Sequence, residues 1–133
     1  VSDKRSFPRR SESIGQARRF VREALGDEHR ETLEAAELMV SELATNSVQH
    51  ARSAFEVTIA GAGDSVRIEV RDCGQGHPTP QSPSPRQARG RGLRIVEALA
   101  GSWGVDPAPN GKTVWFTIPR SADRGGRLGR DAA

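Results

Sequence analysis

Three groups of residues in this chain have types and spacings that could do chemistry. In SELATNSVQHA, residues 41–51, Glu42 and Asn46 lie one helical turn apart on the side away from the apolar stripe, and His50 follows a turn later. A solvated helix face is the default account of such residues. The second group is DCGQG, where Asp72 ends a strand-like run and Gly74 and Gly76 would let the main chain approach a flat ligand closely. A carboxylate accepts hydrogen bonds and donates none, which suits an amino group such as that of adenine. The third is GRGL: Gly90 and Gly92 stand at the entry to a helical pattern, where free N–H groups and the helix dipole favour phosphate oxygens. Each signal alone is weak, because such short patterns recur by chance. Neither a Gly-x4-Gly-Lys-Ser/Thr loop nor a Gly-x-Gly-x-x-Gly between strand and helix is present.

The elements that must position these groups can be read from periodicity. Ser13 and Gln16 stand at capping-box spacing, Ile14, Ala17, Val21 and Leu25 recur on one helical face, and Gly26 follows as a C-terminal glycine. A longer helix is expected from about Glu28 to Ala51, with Leu33, Ala36, Val40, Leu43, Ala44 and Val48 as its stripe and His29 in a polar first turn. AFEVTIA and SVRIEVR alternate strictly, and the turn formers GAGD between them predict a β-hairpin over residues 54–71. The stretch from Asp72 to Gly92 holds four prolines between Pro78 and Pro85 and reads as a loop of some 20 residues. Loops that long inside a small domain are usually functional or disordered. Leu93, Val96 and Leu99 then mark a third helix ending at Gly101. SWGV and GKTVWFTIP supply two more strands around a turn with Asn110 and Gly111, and Pro119 ends the last. Adjacent strands with helices that must cover one face make a two-layer α/β sandwich of the α+β class.

Composition bounds the function classes. The 133 residues suffice for one core, and no run of eighteen apolar residues or secretory leader is visible, which predicts a soluble, cytoplasmic protein. Cys73, the single cysteine, excludes an internal disulfide and a cysteine-based zinc cluster, and reads as a small half-buried side chain. The net charge of +3 belongs to the ends: residues 1–10 and 120–133 together carry +5, leaving about −2 for residues 11–119. A folded basic face is therefore not expected. The expected organisation is an arm over residues 1–10 with room for a short strand near Phe7, a domain over 11–119, and a disordered basic tail over 120–133.

ELATN, DCGQG and GRGL, in that order, resemble the N box and the two glycine boxes of the GHKL ATPase superfamily. With the closing GKTVWF run, the chain looks most like the single-domain anti-sigma factor serine/threonine kinases of the actinobacterial type, over about residues 11–119. That resemblance implies the Bergerat ATP-binding fold: a mixed, mainly antiparallel sheet covered on one face by about three helices. ATP and Mg2+ are the implied cofactors. Under it, Asn46 offers its side-chain oxygen to Mg2+ and Glu42 is the general base. Asp72 accepts from the adenine amino group, and Gly74 and Gly76 leave room for base and ribose. Gly90, with the main-chain N–H groups of Arg91, Gly92 and Leu93, meets the phosphates, and Thr113 supports the adenine through water and the Asp. His50 stays open between the nucleotide box and a helix-end histidine suited to the dipole. The implied partners are a sigma factor and an anti-sigma antagonist, with homodimerisation inferred from relatives and no direct nucleic acid or membrane contact. The competing accounts are a catalytically silent nucleotide-binding switch, a nucleic-acid binder using the basic ends, and a scaffold without ligand. An intact Glu42 favours the kinase over the silent switch.

Overall fold

Strict alternation builds the centre of the sheet. Phe55, Val57 and Ile59 of β2 (Phe55–Ala62) and Val66, Ile68 and Val70 of β3 (Ser65–Asp72) are all buried on one face. The hairpin is tighter than GAGD suggests, because the ladder continues to the pair Ala62 and Ser65 and leaves only Gly63 and Asp64 as loop. Gly63, at φ +66, takes the first central position of a two-residue turn, the place where a type II′ turn requires glycine. The computed structural model describes residues 2–73 and 85–120, with side chains of the second span described from Gly92 onward.

The arm is more than a short strand near Phe7: Ser2–Phe7 forms β1, a full edge strand antiparallel to β2. Chain order then gives α1 (Glu12–Ala24) and α2 (Arg30–Thr45), the latter continued by a π-helical turn over Asn46–Ala51. After β2 and β3 come α3 (Pro85–Leu99), β4 (Ser102–Ala108) and β5 (Gly111–Pro119). The sheet order is β1-β2-β3-β5-β4, with every ladder antiparallel. Pro107 is tolerated inside β4 because β4 lies at the edge, where a missing donor costs no ladder bond. Of the expected tail over 120–133, residues 121–133 lie outside the described residues.

All three helices pack on one side, giving the two-layer sandwich. Ala17, Phe20 and Val21 of α1, Ala36, Met39, Val40, Leu43 and Ala44 of α2, and Val96 of α3 meet the buried row of the sheet, which Val114, Phe116 and Ile118 of β5 complete. Met39 and Phe20, absent from the expected stripes, are buried, while Leu33 and Val48 are only partly so. Phe7 stacks on Phe55 at 5.2 Å and meets Phe20 edge-on at 6.1 Å, tying β1 to α1. Across the α1–α2 seam, Arg22 donates to both Glu37 oxygens, at 3.0 and 2.9 Å. Those hydrogen bonds, and then the Glu37 charge, raise the Arg22 pKa above its ordinary value.

Two helix starts differ from expectation. Ser13 does not cap α1: Ser11 holds the cap position, and the buried Ser13 hydroxyl donates to the Pro8 carbonyl at 2.7 Å. The helix α3 begins eight residues before the expected Leu93. Pro85 is the first helical residue, a position where its fixed φ is suited to the helix and its missing N–H is no loss. The His29 ring caps α2 by accepting from the Glu31 N–H at 3.4 Å.

Candidate nucleotide-binding site

Glu42 lies in the last turn of α2 and Asn46 opens the π-helical turn, both half-buried. The Asn46 N–H bonds the carbonyls of both Glu42 and Leu43, a three-centre bond of the kind common at helix ends. α3 packs against this face. At Gly92 the approach is close: a Cβ there would sit 2.8 Å from Asn46 Nδ2 and 3.7 Å from Glu42 Cβ. The GRGL segment is thus brought against the ELATN segment, and glycine is what permits it. His50 follows in the same turn with an exposed side chain.

The base end of the expected site is built by the sheet. Asp72, the last residue of β3, faces the helices like Val66, Ile68 and Val70 before it, and its residue is 5% exposed. Its register partner is Lys112, whose Nζ lies 2.6 Å from Asp72 Oδ2. Gly111 before it has φ +150, and a Cβ there would fall within 2.0 Å of the Asp72 carbonyl oxygen. No larger residue could start β5 so close to the end of β3.

This register corrects one assignment. Thr113 pairs with Arg71 on β3 and Asp106 on β4, so alternation turns it to the face away from the helices, beside Trp115 and Thr117. Lys112, not Thr113, stands next to Asp72. Counting back by twos from the apolar Val114 would have found it. Gly90, Arg91, Gly92 and Leu93 lie inside α3, past the four N–H groups that a helix start leaves unpaired, so they do not present the free main-chain donors expected of them. The loop ended early because Pro85 starts a helix rather than breaking one. Gly74 and Gly76 lie outside the described residues.

What links the two ends is Ser53, which the sequence did not single out. Its N–H bonds the Ser47 carbonyl at 3.1 Å, and its hydroxyl accepts from the Cys73 N–H at 3.2 Å. Ser47 adjoins Asn46 and Cys73 adjoins Asp72, so one residue pins the end of α2 to the end of β3. Arg52, left-handed at φ 55, makes the reversal that places Ser53 there. Cys73, expected to be half-buried, is exposed because it lies just past the sheet. An open groove of about 390 Å3 lies elsewhere, between β1 and α1, lined by Arg5, Phe7, Gln16, Arg19 and Glu23; no expected site residue lines it.

Comparison with known proteins bears on this arrangement directly. The family model of the histidine kinase-like ATPase domain matches residues 7–118. The chain belongs to that family. Its fold is the GHKL α+β sandwich, and ATP is the nucleotide of such domains. No curated protein matches the sequence. Among solved structures, the RsbU and RsbW domains of Rv1364c from Mycobacterium tuberculosis superpose with a TM-score of 0.72 at 21% identity, covering 90% of this chain and 32% of that one. The blue-light activated histidine kinase EL346 of Erythrobacter litoralis gives a TM-score of 0.56 at 30% identity, over 74% of this chain and 34% of that one. Its histidine kinase domain alone gives 0.52 at 22%, over 84% of this chain and 61% of that one. The chain therefore spans about a third of the first two of these proteins. No helix among the described residues is long and apolar enough to cross a membrane.

The donor set fits the expected cofactors. A lone carboxamide oxygen suits a hard ion that keeps waters and phosphate oxygens as its other ligands. No cluster of three or more His, Cys, Asp or Glu able to hold a metal occurs among the described residues. A buried carboxylate at a strand end, beside a glycine with no room for a side chain, suits the edge of a planar base.

Proposed function

We propose that this domain is an ATP-dependent protein serine/threonine kinase acting as an anti-sigma factor-like regulator, one that sequesters a sigma factor and phosphorylates its antagonist. One observation carries the reading: Glu42 and Asn46 lie side by side against Gly92, and Ser53 fastens that cluster to the strand end bearing Asp72. Family membership makes the ligand of such a cluster ATP.

In this reading Asp72 takes a hydrogen bond from the adenine amino group, which fixes the base end. Asn46 would hold Mg2+ through its side-chain oxygen, and the ion would supply positive charge to offset that of the phosphates. Glu42, one turn earlier, accepts the proton of the antagonist's serine hydroxyl as its oxygen bonds to the γ-phosphorus and the bond to the β-phosphate oxygen breaks, releasing ADP. The protein's part is positioning and a base, which is what phosphoryl transfer asks of it.

The test is phosphorylation of candidate antagonist proteins from the same genome, with Mg-ATP, by wild type and Glu42→Ala. Loss of a positioned base should lower the rate about 100-fold or more while ATP still binds. Equal transfer by both proteins would refute Glu42 as the base. The second reading, a catalytically silent nucleotide switch, is favoured by the placement of Gly90–Leu93 inside α3 rather than at its start. It predicts ATP binding with no transfer by either protein.

A further inference from the structure

Asp72 and Lys112 are directly opposite in the β3–β5 ladder and continue the two core-facing rows that run through Val66, Ile68 and Val70 and through Ile118, Phe116 and Val114. At the end of those rows the apolar side chains give way to a carboxylate and an ammonium. The Asp72 side chain is 6% exposed and that of Lys112 26%. Burying a carboxylate so fully needs a charged partner. Lys112 provides it while keeping its ammonium at the margin of the site.

An ammonium has three hydrogens, and one serves Asp72 Oδ2. The result is a donor and an acceptor side by side, 2.6 Å apart. A carboxamide offers the same pattern at similar spacing, and carboxamides read adenine by accepting from its amino group and donating to the adjacent ring nitrogen. Resting on the nucleotide reading above, we propose that Lys112 is a second base-reading residue: Asp72 accepts from the exocyclic amino group of the purine and Lys112 donates to a ring nitrogen beside it. The base is then recognised on two neighbouring atoms by an ion pair. Thr113, on the other face of the sheet, takes no part.

The inference is tested by calorimetric titration of the full chain with ATP, 1-deaza-ATP and 7-deaza-ATP, the analogues removing in turn each ring nitrogen that flanks the amino group. One charge-assisted hydrogen bond corresponds to about a tenfold change in affinity. Wild type should bind one of the two analogues about tenfold more weakly than ATP. Lys112→Met should bind ATP about tenfold more weakly than wild type and no longer distinguish ATP from that analogue. Lys112→Gln, which keeps a donor, should retain part of the discrimination. Wild type binding both analogues as tightly as ATP overturns the proposal without any variant, and does so even if Lys112→Met fails to fold. Continued discrimination by Lys112→Met, or tighter ATP binding by it, also overturns it. Absence of ATP binding by wild type would overturn the nucleotide reading itself, an outcome distinct from ATP binding without discrimination.

Discussion

Gly92 shows most directly how one residue divides stability from ligand binding. Alanine in a helix interior is favoured over glycine by about 1 kcal/mol. The atom that a new Cβ would meet is the end of the Asn46 side chain, which can rotate away at little expense. Gly92→Ala should therefore leave the thermal midpoint unchanged or slightly raised. The displaced amide is the proposed Mg2+ ligand, so affinity for Mg-ATP should fall about tenfold, in line with one lost metal or charge-assisted contact. Affinity for ATP in excess chelator should change little. Calorimetry with and without magnesium, beside a melting curve, reads all three quantities. A parallel loss in both titrations would place the effect on the pocket as a whole rather than on Asn46.

At the scale of elements, β1 is held by an aromatic cluster as well as by its ladder with β2. Phe7 is 3% exposed and contacts the rings of both Phe55 and Phe20. Phe7→Ala should cost about 3–5 kcal/mol, measured by urea denaturation, as is usual for a buried phenylalanine. A cost below about 1 kcal/mol would mean that β1 contributes little to the folded domain. The elements also show what a sequence can and cannot disclose. The hairpin of β2 and β3, most of the apolar rows of α1 and α2 and the end of β5 at Pro119 follow from period and turn chemistry, which local residues dictate, whereas Leu99 of the expected α3 row is exposed. The π-helical turn at Asn46 does not, because nothing in NSVQHA distinguishes a widened turn from an ordinary one. Nor does the start of α3, where the same proline that breaks a helix interior suits its first position. At the site, Asp72 and the pair Glu42 and Asn46 were legible from type and spacing, and Gly92 from its family box. The core-facing side of Lys112 follows from alternation, but its pairing with Asp72 needs the strand register, and Ser53 acts through a hydrogen bond spanning 20 residues.

For the molecule as a whole, ligand binding and folding are coupled, since a site made from α2, α3 and the sheet exists only when they are assembled. At an ATP concentration 100 times Kd, binding adds about 2.7 kcal/mol to stability. For a domain of this size that corresponds to a rise in Tm of roughly 10 °C. Scanning fluorimetry with Mg-ATP should show it, and a smaller rise when magnesium is withheld. No shift at millimolar Mg-ATP would contradict the proposed site. Charge points the same way, since the net +3 resides in the two ends and residues 11–119 carry about −2. A domain of that charge gains little general attraction for polyanions, so nucleotide affinity must come from local contacts.

The end of β3 has a practical consequence. The chain's only thiol lies at the surface, one peptide unit from the carboxylate proposed to read the base, on a backbone clamped by Ser53. The protein thus supplies its own attachment point for an environment-sensitive dye, and occupancy of the proposed nucleotide site can be followed by fluorescence without altering a residue.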